Sequence, residues 1–153
     1  MTRVALDTNI LAYLAGVAHV AADDAKVEAV RTLIETSSTA TLIAPVQALG
    51  ELFVVLRRSG LPAEKARDTI ADLIETFETP ASEPRMALGA LDLAVDHKLQ
   101  FWDALIFTAA ADAGCTLLLS EDMQHGFVNR GLTVVNPFAE PSHPKLAAVV
   151  GDD

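Results

Sequence analysis

Four short runs constrain this chain most: Val4 to Leu6, Thr41 to Ala44, Thr116 to Leu119 and Leu132 to Val135. Each is brief, apolar and closed by a polar or turn-forming residue, which reads as a strand. Their apolar character is continuous rather than alternating, so each strand needs cover on both faces, as in a parallel sheet between layers of helices. The intervening segments supply those helices. One is expected from Asp23-Asp24 to Thr36, and one from Val46 to Arg58 with Pro45 at its start. After Gly60-Leu61-Pro62, the stretch Ala63 to Phe77 spaces Ala66, Ile70, Leu73, Ile74 and Phe77 as one apolar helical face. Helices from about Arg85 to His97 and Trp102 to Ala113 follow, the last stopped by Gly114. The order implies an α/β/α sandwich with a central, mostly parallel sheet of four to five short strands. Residues 1–138 read as one domain. In the segment 139–153, Ala139 to Pro144 resembles a linker and Leu146 to Val150 a short apolar piece, so a flexible C-terminal extension is expected.

Composition narrows the class. At 153 residues, with 51% hydrophobic and 21% charged residues, the chain has material for one globular core. No stretch approaches the ~20 apolar residues of a membrane span, and the N-terminus has no long apolar core, so a cytoplasmic location is expected. Cys115, the only cysteine, sits in an apolar run and reads as a buried structural thiol. The net charge of −10 argues against broad electrostatic attachment to nucleic acid. That objection weakens if carboxylates hold divalent cations, which reverse the local sign.

Most acidic residues, such as Glu28, Glu64, Asp68, Glu75 and Asp112, stand on polar helix faces or near helix ends, where solvation explains them. Asp7, Glu51 and Asp103 instead stand alone inside apolar runs. Burying an ionised carboxylate costs on the order of several kcal/mol without a cation or a full set of hydrogen bonds. Asp7 falls just beyond the first strand and Asp122 three residues after the third, where ligand sites of such sheets lie. Glu51, in the helix after the second strand, can face the same crevice. Each has a plainer explanation: Asp7 as N-cap of a helix starting at Asn9 or Ile10, Asp103 as cap of a helix beginning at Ala104, Asp122 as a turn residue, and Glu51 as a hydrogen-bonded structural carboxylate. The joint pattern favours a site. Oxygen-only ligands select Mg²⁺ or Mn²⁺, with Thr8, Asn9 and Ser120 suited to orienting them. His19, His97, His125 and His143 are scattered and read as surface or capping residues. Arg57 and Arg58 are either phosphate contacts or a solvated helix terminus.

Val4-Ala5-Leu6-Asp7-Thr8-Asn9, the lone Glu51, Phe101-Trp102-Asp103-Ala104 and Leu119-Ser120-Glu121-Asp122-Met123-Gln124-His125-Gly126 together resemble the PIN-domain family, with the nearest likeness to VapC-type ribonuclease toxins. The resemblance runs from about Arg3 to Phe138 and includes Val135-Asn136-Pro137-Phe138. It implies a PIN fold, Mg²⁺ or Mn²⁺ dependence, endonucleolytic cleavage of RNA, a homodimer and inhibition by a cognate antitoxin protein. By the same resemblance Asp7, Glu51 and Asp103 match the three core acidic positions and Asp122 the fourth, with Glu121 its rival.

Two other enzyme classes fall on inspection. An aspartyl phosphatase needs a second carboxylate where Asn9 stands, and a Rossmann or P-loop protein needs a glycine-rich turn where Asp7-Thr8-Asn9 follows Leu6. A catalytically silent module that binds a partner through the apolar helices Val46 to Leu56 and Ile70 to Phe77 remains the alternative.

Overall fold

Continuous apolar strands require a sheet covered on both sides, and the structure, a computed structural model describing residues 1–18 and 20–150, has that form. Strands β1 (Thr2–Leu6), β2 (Ala40–Ile43), β3 (Leu117–Leu119), β4 (Val128–Asn129) and β5 (Leu132–Val135) make one sheet in the order β2-β1-β3-β5-β4. All pairings are parallel except β4 with β5. Every residue of β3 and β5, and Val4 to Leu6 of β1, is buried. The helices α1 (Thr8–Leu14), α2 (Asp24–Thr36), α3 (Val46–Arg58), α4 (Ala63–Thr76), α5 (Arg85–His97) and α6 (Phe101–Asp112) supply that cover, and a short α7 (Pro144–Ala147) follows the sheet.

The expected helices lie within a residue or two of their predicted ends. Four features differ. The helix after β1 starts at Thr8, so Asp7 is its N-cap and accepts from the Thr8 amide. Helix α6 starts at Phe101 with Gln100 as N-cap, so Asp103 lies inside its first turn and does not cap it. Strand β4 was not expected; its hairpin with β5 turns on Arg130 and Gly131, both at positive φ as a two-residue type I′ turn requires. The segment after Phe138, expected to be a flexible extension, carries α7, and Leu146 and Val149 are buried in the core. Lys145 Nζ also donates to Thr133 Oγ1 at 2.7 Å. Residues 151–153 of the tail lie outside the described residues.

Parallel register fixes the future site. Leu6 pairs with Leu119, and one residue further the ladder continues through Asp7 N donating to Leu119 O and Ser120 N donating to Val135 O. Asp7 and Ser120 therefore emerge side by side at the carboxyl ends of adjacent strands.

Gly114, which follows α6, has φ +79°, and a Cβ added there would meet only the Arg3 side chain at ordinary contact distance. Its Ala variant should lose about 1 kcal/mol from backbone strain alone. Urea denaturation should give that loss as a lower midpoint with unchanged slope.

Candidate metal and nuclease site

Asp7 is the best-buried member, 4% exposed. Its Oδ1 accepts from Thr8 N at 2.7 Å and its Oδ2 from Ser120 Oγ at 2.7 Å. Ser120 in turn accepts from Met123 N at 3.1 Å, so the loop leaving β3 sets the direction in which the hydroxyl donates. Burial raises the Asp7 carboxyl to about 6, against these two hydrogen bonds, and the charges of Asp103 and Glu51 add to the rise.

Glu51 reaches the same place from α3. Ala48, Leu52 and Leu56 of that helix enter the core, leaving Glu51 half-buried beside α1, where Thr8 Oγ1 donates to Glu51 Oε2 at 2.9 Å. Thr8 therefore joins two carboxylates, through its amide to Asp7 and through its hydroxyl to Glu51. Asp103, half-buried in the first turn of α6, has its carboxyl pushed up by burial, then by Glu51, then by Asp122. These couplings draw Asp7, Glu51, Asp103 and Asp122 into one electrostatic neighbourhood. Trp102, next to Asp103, is 55% exposed and packs edge-on against Phe101.

Asp122 and Glu121 separate clearly. Glu121 Oε1 accepts from Tyr13 OH at 2.7 Å, and Oε2 pairs with Lys26 Nζ. Burial and this bond to Glu121 push the Tyr13 phenol up to about 12. Asp122 is exposed and acts on Asp103. Tyr13 and Lys26 had no expected role. Their signal is invisible along the chain, since the bond from Tyr13 to Glu121 spans 108 positions.

A cavity of about 470 Å³ adjoins the cluster between α1 and α3, lined by Thr8, Asn9, Glu51, Glu121, Asp122 and Arg58 among others. Asn9 Oδ1 accepts weakly from Glu121 N at 3.5 Å, while its buried Nδ2 has no hydrogen-bond partner. Arg58 and Arg57 part company here. Arg58 lines the cavity, whereas Arg57 Nη1 donates to Leu61 O at 2.9 Å and closes the end of α3. The histidines hold backbone or lie at helix ends: His143 accepts from Lys145 N, His125 from Asn136 N, and His97 ends α5. His19 lies outside the described residues.

A family model described as the PIN domain matches residues 4–128, a span that includes all four acids. The chain belongs to the PIN-domain family. No curated protein sequence matches it. This PIN domain shares its fold with VapC20 of Mycobacterium tuberculosis, a sarcin-ricin loop cleaving toxin: 20% identity, TM-score 0.64, 78% of this chain and 89% of that one. VapBC2 of Rickettsia felis, seen bound to a DNA fragment from its promoter, is similar too: 14% identity, TM-score 0.63, 87% of this chain and 97% of that one.

The donor set suits a hard cation: it is all oxygen, and like charges raise each other's proton affinity. Among the described residues, no three His, Cys, Asp or Glu side chains already stand as a ready-made cage. Carboxylates that repel one another stand apart until a counter-ion joins them.

Asp7 has a folded-state pKa above its unfolded value, so its effect on stability is neutral below about pH 4 and grows unfavourable as pH rises through 6. A rise of about 2 units corresponds to roughly 3 kcal/mol once the group is fully ionised. In chelator-treated protein, Asp7→Asn should therefore raise the melting temperature at pH 8 and leave it nearly unchanged at pH 4. Equal effects at both pH values would show that Asp7 carries no buried-charge penalty.

Proposed function

We propose that this PIN domain is a metal-dependent endoribonuclease, the toxin of a type II toxin-antitoxin pair acting in the cytoplasm. One observation carries the reading: a buried carboxylate, Asp7, electrostatically coupled to Glu51 and Asp103, with Asp122 acting in turn on Asp103, beside an open cavity. The fold shared with a sarcin-ricin loop cleaving toxin agrees with it.

Asp7, Glu51 and Asp103, with Asp122 at the exposed edge, would hold Mg²⁺ or Mn²⁺. Such an ion supplies Lewis acidity at the phosphate and acidifies water at neutral pH. The chain's own groups do the rest. Thr8 N and Ser120 Oγ hold Asp7 in one orientation. Thr8 Oγ1 fixes Glu51 through Oε2, leaving Oε1 to take the proton of the attacking water. Arg58, which lines the cavity two turns along α3 from Glu51, meets a phosphate of the strand.

Two surfaces support the partners. An apolar groove between α3 and α4, walled by Val46, Phe53, Ile70 and Ile74, suits an amphipathic antitoxin helix. The same groove favours a second reading, a catalytically silent module that only binds its partner. On α5, Leu88, Leu91 and Val95 are 66, 49 and 78% exposed and lie on one helical stripe, which suits a homodimer.

The deciding measurement is degradation of RNA by the purified protein. Cleavage should stop with a chelator and return with Mg²⁺ or Mn²⁺. Asp103→Asn should slow it on the order of a hundredfold or more, as loss of a few kcal/mol of transition-state stabilisation implies. Full activity in that variant, or in chelator, would sink the metal-site assignment, whereas no cleavage with either ion would sink the nuclease reading and leave the silent module. Sedimentation tests the dimer separately: Leu91→Glu with Val95→Glu should yield a folded monomer, and a persistent dimer would place the interface elsewhere.

A further inference from the structure

The cavity beside the carboxylates is larger and more apolar than metal binding requires. Its walls are two helical faces packed against each other. Helix α1 presents Thr8, Asn9, Ala12 and Tyr13, and α3 presents Glu51, Val54, Val55 and Arg58, spaced as neighbours along one side of a helix. Moving outward from the acids, the character changes. Along α3 the order is Glu51, then Val54 and Val55, then Arg58, and Ala12, Tyr13, Val17, Glu121 and Asp122 complete the lining. Glu51 and Arg58 are seven residues apart on α3, roughly 10 Å along its axis.

We propose that this cleft seats one nucleobase of the RNA, the base next to the phosphodiester that is cut, drawn out of its stack. The inference rests on the nuclease reading and adds which part of the substrate the site recognises. A base has apolar faces and a polar edge, and it lies between two phosphates. The cleft repeats that order: a cation-seeking acidic end for the reacting phosphate, apolar walls for the faces, and a guanidinium for the next phosphate. Its volume of about 470 Å³ is that of a small-molecule site. Single-stranded or extruded bases are commonly read in this way, by contact with their faces and hydrogen bonds to their edges.

Asn9 supplies the hydrogen bond. The Glu121 amide takes Asn9 Oδ1, which turns Nδ2 the other way, where it is buried and has no protein partner. A buried donor left unsatisfied is costly, and a small turn of the Asn9 side chain on binding would present it to an acceptor on a base edge and remove that cost. Val54, almost half exposed on the surface of α3, is an apolar side chain that the fold itself does not need covered.

The first test uses the full chain with labelled valine methyl groups. Adenosine, guanosine, cytidine and uridine 5′-monophosphates are titrated in turn, with ribose 5-phosphate as the base-free control. At least one nucleotide should shift the Val17, Val54 and Val55 signals, and ribose 5-phosphate should not. Val54→Trp should abolish those shifts while the other methyl signals stay in place. The second test scans abasic positions through an oligoribonucleotide that the protein cuts. Removing the base beside the cut should slow the wild type about tenfold, the range of one stacked base. Val54→Trp should cut intact and abasic strands equally.

Failures of the two readings are distinguishable. Cleavage that ignores the missing base, with valine signals unmoved, overturns the nucleobase seat and leaves the nuclease. Valine shifts equal for ribose 5-phosphate overturn it too. Shifts by nucleotides without any cleavage of RNA support the seat and overturn the nuclease.

Discussion

One carboxylate buried at the mouth of a parallel sheet governs this structure. Asp7 leaves β1 opposite Ser120, because β1 and β3 run parallel with Leu6 aligned to Leu119. Two hydrogen bonds orient it without offsetting its burial, so its proton affinity stays high. Helices α3 and α6 then bring further negative charge to the same place. A chain selected for stability alone would place an apolar or amide side chain there, and departures of this kind collect at functional sites.

The fold was legible because its signals are local. Continuous apolar runs gave a covered parallel sheet, and proline, glycine and apolar spacing bounded the helices. Strand β4 escaped because it has two residues, with Val128 exposed, and holds only through its hairpin with β5. The core acids of the candidate site stood out in the sequence as charges stranded among apolar neighbours. Their finer roles were not. The alternative that Asp103 caps a helix beginning at Ala104 stayed open in the sequence because an Asp near a helix start suits that place, whereas in the structure Gln100 takes the extended conformation that ends the loop. Glu121 and Asp122 are adjacent in sequence, and only Tyr13 and Lys26, brought from α1 and α2, tell them apart. Arg57 and Arg58 divide likewise, by a carbonyl that folding places next to one of them.

The net charge of −10 repels RNA, and the ion pairs of the surface leave it unchanged, so any attraction has to be local. Several cations are occupied by acids far from the cluster: Arg3 by Glu78, Arg31 by Glu28, Arg67 by Asp68 and Arg130 by Asp112. Such surface pairs add little stability but remove charge of both signs from the outer field. What a phosphate meets at the cleft is set by its acidic inner end, Arg58 and any ion the acids hold.

Trp102 is the only indole in the chain, more than half exposed and joined by a peptide bond to Asp103. The ultraviolet emission of the whole protein therefore originates, for tryptophan, at a single point on the rim of the acidic cluster. Changes in hydration or charge there register in the native fluorescence, so the molecule carries an optical gauge of its own site without any attached dye.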